Sequence, residues 1–451
     1  MRPVKFDFHE TEEVIISQAG LSAVGGLLAT TDLYERVNKV RFLSRHKPKI
    51  SNGDILYTML GLLCLGKPDF EAAREFLDDP FFQMSLGIKK MPSVERLRQR
   101  LDDLAGKCEN IIDVENSAML ARFKDLISAD HGFIPLDIDV SIFDNSDSKK
   151  EGVAYTYKQL NGYAPIFAYL GLEGFLIACE LREGSVHCQK GTVDFIRRTI
   201  ENARKVTGRR LLLRMDSGND AIENIHACNE SGADWLIKRN LRGEAIDEWE
   251  NEALKNASEH EEIDGVDVYR GATIRERDGI KLRAVYEVRK KKVEKNGQLF
   301  LCEGETEVDT YWTSLELAPS EVIELYRRHA TSEQFHSELK TDMDLERLPS
   351  GKFATNDLIL RLGMMAYNVL RLIGQAGLNE NRKLKKDQSA PLPKKVKRRR
   401  VGSVIRDFLY VAARFVRHAR RWGLSFWRKN PWHILLGRIY EYFMPPPLTA
   451  K

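Results

Sequence analysis

The chain has 451 residues, of which 43% are hydrophobic and 30% charged, with a formal net charge of +4. That balance excludes wholesale disorder, and the length leaves room for about two to four domains. The longest mostly apolar run, Ile55 to Leu65, is about half of the ~20 residues a membrane span needs, so no membrane partner is expected. The opening MRPVKFDFHETEE lacks the apolar stretch of a secretory signal, and the six cysteines form no C-x-x-C pair. A cytoplasmic protein with neither a disulfide framework nor a zinc finger is expected.

The small net charge hides an asymmetry. Between Arg382 and Lys451 there are 19 Lys and Arg against three acids, so the remainder of the chain is net acidic. A basic tail on an acidic body points to a polyanion, most simply nucleic acid, or to a charge match with the body itself.

In chain order, residues 1–130 are predicted mostly helical: Ile55–Leu65, Phe70–Leu77 and Val94–Leu104 have helical apolar spacing. This region is a candidate for DNA-end binding, although a plain bundle has the same pattern. At Phe133 the character changes. FIPLDIDVSIF reads as a strand, and YAPIFAYL (163–170) and EGFLIACEL (173–181) as a hairpin turning at Gly171. A helix from Thr192 to Val206, a buried strand LLLR (211–214), a helix from about Asp220 to Glu230 and a strand DWLIK (234–238) follow. The order β-β-β-α-β-α-β is that of a ribonuclease-H-like α/β core, expected over 131–240 and 316–375.

Residues 241–315 read as a mostly β insertion: VDVYRGATI, LRAVYEV, QLFLCEG and DTYWTSL, with a hairpin turn at Glu294–Gly297. A helix opening at Pro319-Ser320, with Ser320 as cap, is expected to run through Glu338, and another from Asp357 to about Ile373. Residues 377–402 have linker composition and carry the run KKVKRRR, a candidate backbone-gripping arm. Beyond them, Val404, Phe408, Val411 and Phe415 suggest an amphipathic basic helix in a C-terminal region (376–451) for DNA or dimer contact.

Three acids fall where this fold would bring them together: Asp139 on the first strand, Asp216 directly after the fourth, and Glu333 in the later helix. The first and fourth strands of such a core are neighbours, and a helix crossing their edge can deliver the third carboxylate. Carboxylate oxygens suit hard cations such as Mg²⁺, and two such ions can clamp the attacking and leaving oxygens of a phosphoryl displacement. Around Glu333, in LYRRHATSEQFHSELKTD, Tyr326, His329, Glu333 and Lys340 share one helical face, a poor apolar stripe but a good phosphate-facing one. Asp137 points to the same side of its strand as Asp139 and is an alternative first ligand.

The order Asp…Asp…Glu, with DIDVS, LRMDSG and Tyr326…Glu333…Lys340 in EQFHSELKTD, resembles bacterial DDE insertion-sequence transposases of the Tyr-Arg-Glu-Lys type, the Tn5-like group. The resemblance covers about residues 130–375. It implies Asp139, Asp216 and Glu333 as catalytic metal ligands for two Mg²⁺ ions, with Mn²⁺ as substitute. Tyr326 and Lys340 become contacts to the DNA backbone. The family's Arg falls on His329, with Arg328 just before it as the other candidate cation. A tryptophan in this family's insertion stacks on an extruded base, and Trp312 is the matching suggestion. The implied activity is cut-and-paste transposition at terminal inverted repeats into target DNA, by a homodimer in a synaptic complex, in the bacterial nucleoid. A decayed transposase that only binds DNA, or a nuclease on the same core, are the alternatives.

Overall fold

The computed structural model of the protein describes residues 4–41, 48–291, 305–393, 395–419 and 421–444. The turn expected at Glu294–Gly297, the piece QLFLCEG and Lys394 of the basic run lie outside them.

Among the described residues nine strands form one mixed sheet. They are β1 (Ile134–Val140), β2 (Ile166–Leu170), β3 (Phe175–Glu180), β4 (Leu211–Met215), β5 (Asp234–Lys238), β6 (Glu259–Ile263), β7 (Val266–Arg277), β8 (Ile280–Lys291) and β9 (Thr306–Thr313). Their order across the sheet is β6-β7-β8-β9-β5-β4-β1-β2-β3. β1, β2 and β3 pair antiparallel, whereas β1–β4 and β4–β5 are parallel. Parallel strands are covered on both faces, so β4 is buried along its whole length and reads as an unbroken apolar run. The β2–β3 hairpin turns through Gly171 and Gly174, both at positive φ, as a tight reversal requires. Helices Thr192–Val206 and Ile222–Glu230 connect β3 to β4 and β4 to β5.

Among the described residues the insertion forms no separate sheet. β9 returns antiparallel to β5, so β6 to β9 extend the central sheet. The acidic stretch before it holds a helix, Ile246–Asn256, anchored by the buried Trp249.

A 31-residue helix, Phe353–Lys383, extends the segment expected from 357 to 373 at both ends. Its Asn368 pins it to the edge strand β3: the side chain accepts the Leu176 N–H at 2.8 Å and donates to the Leu176 carbonyl at 2.7 Å. Asn116, from helix Glu109–Arg122, donates to the same carbonyl at 3.0 Å. Buried side-chain amides thus occupy backbone groups that an edge strand would otherwise leave open.

The C-terminal basic region differs from the expected amphipathic helix. A short helical turn through Val401–Leu409 gives way to strands Ala413–His418 and Arg421–Ser425, and the first of these pairs with Val14–Ile16. Ala413 and Phe415 point inward while Arg414 and Val416 point outward, a period of two that the stripe through Val411 and Phe415 disguised. Ser320 is likewise not a cap. Ala318 holds that position, its N–H donating to Glu321, and Ser320 bonds Glu259. No described helix is long and apolar enough to cross a membrane.

Candidate active site

β1 carries Asp137 and Asp139 on one face, and the chain from Pro319 to Asp342 crosses that face. This segment is not one regular helix. An α-helix ends at Arg327, a 3₁₀ turn spans Arg328–Thr331, a second α-helix covers Ser332–Ser337, and Glu338–Asp342 is a π turn. The irregularity changes which side chains meet the strand.

Asp137 is fully enclosed. Arg214 of β4 grips both its oxygens at 2.6 Å, and His329 Nδ1 lies 2.8 Å from Oδ1. The same guanidinium donates to the Leu325 carbonyl at 2.7 Å, tying β4 to the crossing segment. Burial opposes charge on Asp137, but Arg214 and His329 hold its carboxyl below the usual value. Asp137 therefore has its lone pairs committed to cations of the chain itself.

Asp139 faces differently. His336 Nε2 lies 3.1 Å from its Oδ2 and Ser332 Oγ at 3.4 Å, while the Val140 N–H donates to Oδ1 at 2.8 Å. An ionised carboxylate only accepts, so Nε2 carries a proton, and Nδ1 lies 3.0 Å from the Tyr169 hydroxyl. Burial works against the charge, yet these donors keep Asp139 below the usual carboxylate range.

Asp216 leaves the end of β4 on the strand beside Asp139. Burial, and next the charge of Asp139, push its carboxyl above the usual value, against the Asn219 amide that donates to Oδ1 at 2.9 Å. Asp139 and Asp216 line one cavity of about 340 Å³ with Tyr155, Tyr157 and Cys188. Gly218 borders it, and a Cβ there would lie 3.3 Å from Asp216 Oδ1.

Glu333 sits one residue after Ser332 and three before His336, on the turn that touches Asp139. It is exposed and makes no hydrogen bond or ion pair among the described residues. Tyr157 lines the same cavity as Asp139 and Asp216. Its hydroxyl is pushed up to about 12 by burial and then by the charges of Asp139, Asp216 and Glu333 together. Among the described residues no group of three or more His, Cys, Asp or Glu side chains is placed to hold a metal ion. The arrangement is a pair of mutually repelling carboxylates with the third acid in electrostatic reach of the same phenol.

The four residues expected to grip phosphate have partners within the chain. Tyr326 packs between Tyr311 and His329, with ring centroids at 4.7 and 5.7 Å. His329 is held by Asp137 as above. Arg328 pairs with Asp130 and Glu324. Lys340 donates to the Ile142 carbonyl at 2.7 Å and pairs with Glu346 at 2.8 Å. Trp312 is buried under Arg239, whose guanidinium is 4.1 Å from its ring centroid, so no base can reach it in this structure.

Sequence reasoning missed Tyr157, Arg214 and the use of His336. Arg214 and His336 lay inside the quoted motifs LRMDSG and EQFHSELKTD. Tyr157 carried no signal, because the loop that presents it belongs to a small sheet (Phe143–Asp144, Ala154–Tyr155, Asn161–Tyr163) of two- and three-residue strands.

No curated protein matches the chain. A solved structure described as the piggyBac transposase synaptic complex with hairpin DNA aligns at 11% identity and TM-score 0.41, covering 96% of this chain and 83% of that one. The family model for the transposase DDE domain, group 1, matches residues 2–445. With all but its first residue and last few inside that match, the chain belongs to the DDE transposase family.

Proposed function

We propose that this DDE-family protein is a cut-and-paste transposase whose Asp139, Asp216 and Glu333 hold two divalent cations at a scissile phosphodiester. The observation that carries the reading is that Asp139 and Asp216 line one cavity, with Glu333 on the turn whose Ser332 and His336 meet Asp139. Oxygen-only donors with uncompensated charge fit Mg²⁺, or Mn²⁺ in its place. When bound, such ions stabilise the attacking and leaving oxygens of an in-line displacement.

The chain's own residues prepare that chemistry. His336 and Ser332 orient Asp139 and keep it ionised, while Asn219 fixes one oxygen of Asp216. Arg214 and His329 neutralise Asp137, which separates its structural role from that of Asp139. Hydrolysis at the element's end leaves a 3′-hydroxyl; by transesterification its oxygen joins the phosphorus of a phosphodiester in the second strand or target, and the 3′-oxygen of that strand leaves with the proton as a hydroxyl. The strand order β3-β2-β1-β4-β5, antiparallel then parallel, supports a ribonuclease-H-like core. Tyr326, Glu333 and Lys340 keep the spacing of the Tyr-Arg-Glu-Lys, Tn5-like subtype, with His329 in place of Arg. By that resemblance the partners are terminal inverted repeats and target DNA, and the working form is a dimer. The N-terminal helices and the basic C-terminal region are assigned to DNA contact.

The test is Mg²⁺-dependent nicking and joining of DNA carrying the repeats that flank the gene. Glu333→Ala should abolish both and leave end binding largely intact. Full cleavage by that variant refutes the assignment. The engagement of His329 by Asp137 supports a second reading, a decayed transposase that binds DNA without cutting; it predicts no product even in Mn²⁺.

A further inference from the structure

Two large rings stand open at the cavity that Asp139 and Asp216 line. Tyr155 is 62% exposed and Tyr157 67%, while Thr156 between them is buried. Tyr155 ends the two-residue strand Ala154–Tyr155, Tyr157 opens the turn that follows, and both rings line the cavity. Among the described large apolar side chains that are more than half exposed, these two line the acid cavity and the others do not.

The loop that presents them is built rather than loose. Thr156 N–H and Oγ1 both donate to the Leu160 carbonyl at 2.9 Å, and Gln159 takes the left-handed φ of 62° that closes the turn. Gly184 lies so close beneath that a Cβ there would collide with the carbonyls of Ala154 and Gly162. The Tyr163 hydroxyl donates to the Glu151 carbonyl at 2.8 Å across the base of the loop. A fixed loop that leaves two aromatic faces in solvent next to an anionic cavity forgoes burial it could otherwise gain. Lys158, next in sequence, is exposed, with its ammonium 6.0 Å from the Tyr157 ring centroid.

We propose that Tyr155 and Tyr157 form a stacking platform for an unpaired DNA base adjacent to the scissile phosphate, with Lys158 toward its backbone. The proposal deepens the cleavage reading and rests on it for the identity of the cavity. Aromatic faces accept any base, and a duplex offers none, so the platform selects DNA whose end is frayed or extruded. It supplies an aromatic contact that the buried Trp312 does not.

The full chain is titrated, in Ca²⁺, with a single-stranded oligodeoxynucleotide containing 2-aminopurine, with the matched blunt duplex, and with the same sequence as RNA. Wild type and Tyr157→Phe should quench the 2-aminopurine. Tyr155→Ala/Tyr157→Ala should bind the single strand at least about five-fold more weakly without quenching, and bind duplex as wild type does. Equal quenching by the double alanine variant, an equal loss on duplex, or preference for RNA overturns the platform. Unchanged single-strand binding by that variant, beside Mg²⁺-dependent nicking by wild type, refutes the platform alone. Loss of quenching in the variant, with no nicking by wild type, supports the platform and refutes the cleavage reading.

Discussion

His336 Nε2 lies 3.1 Å from Asp139 Oδ2, while its other ring nitrogen is 3.0 Å from the Tyr169 hydroxyl. A histidine from the crossing segment thereby fixes the orientation of an acid on the central strand. With His329–Asp137 and Arg214–Leu325, it is one of the contacts that couple the two halves of the site.

Removing that support should disturb chemistry more than DNA affinity. Partners that orient a metal-binding carboxylate typically contribute about 10- to 100-fold in metal affinity or activity. His336→Ala is expected to lower kcat in that range with little change in DNA-end binding, and Tyr169→Phe to have a smaller effect. A purely structural histidine would instead show its loss in Tm, with cleavage per folded molecule unchanged.

Asp216→Asn should stabilise the metal-free protein. A carboxyl raised by burial and by Asp139 binds its proton more tightly when folded, so the folded state is penalised as pH rises through the raised value. At neutral pH the variant's Tm is expected to exceed that of wild type by about 1–3 °C. The gap should close below the ordinary Asp value of about 4. Saturating Mg²⁺ should raise the Tm of wild type but not of the variant, as thermal melts with and without the ion will show.

Asp137 and Asp139 should separate cleanly. Breaking a buried, hydrogen-bonded ion pair costs about 3–5 kcal/mol, so Asp137→Ala is expected to lose that much in denaturant unfolding. Asp139→Asn should remain folded and lose cleavage. Burial lowers the His329 value, but Asp137 more than offsets this and the net shift is upward. The stability contributed by His329 is therefore complete below about 6.5 and is lost as pH rises through the raised value. His329→Gln should flatten that alkaline decline.

Glu338 anchors the basic run to the crossing segment. It is 1% exposed, pairs with Arg371 at 2.6 Å and with Arg398, and accepts the Val401 N–H at 2.8 Å. Arg400 meets Asp342 at 2.8 Å one turn later, and Arg399 meets Asp407. Glu338→Gln leaves a buried guanidinium short of its counter-charge, at a cost of about 3 kcal/mol or more. Faster amide exchange is expected at Val401 and Gly402; protection equal to wild type there would contradict the anchor.

What could be read from residues alone followed from pattern and length. The hairpin 163–181 and strand Asp234–Lys238 carry continuous apolar runs and helix Thr192–Val206 a helical period, and each was legible. Arg398 and Arg400 of KKVKRRR were not legible as internal partners, because Glu338 and Asp342 lie some sixty residues upstream and no local signal links them. Larger separations, 252 and 197 residues, hide Asn116–Asn368 and His336–Asp139. Phe415 misled because a spacing of four suits a helix as well as a strand of even period. Tyr157 was silent, since its exposure depends on Gly184 packing beneath the loop.

The central claim is that Asp139, Asp216 and Glu333 share a divalent cation. Anomalous diffraction from crystals of the intact protein grown with Mn²⁺ tests it most directly. Manganese bridging the carboxylates of Asp139 and Asp216, with Glu333 drawn into coordination and the peak lost in Asp216→Asn, is the expected result. Manganese bound elsewhere, or a bare site with Asp139 still turned to His336 at saturating ion, would contradict it.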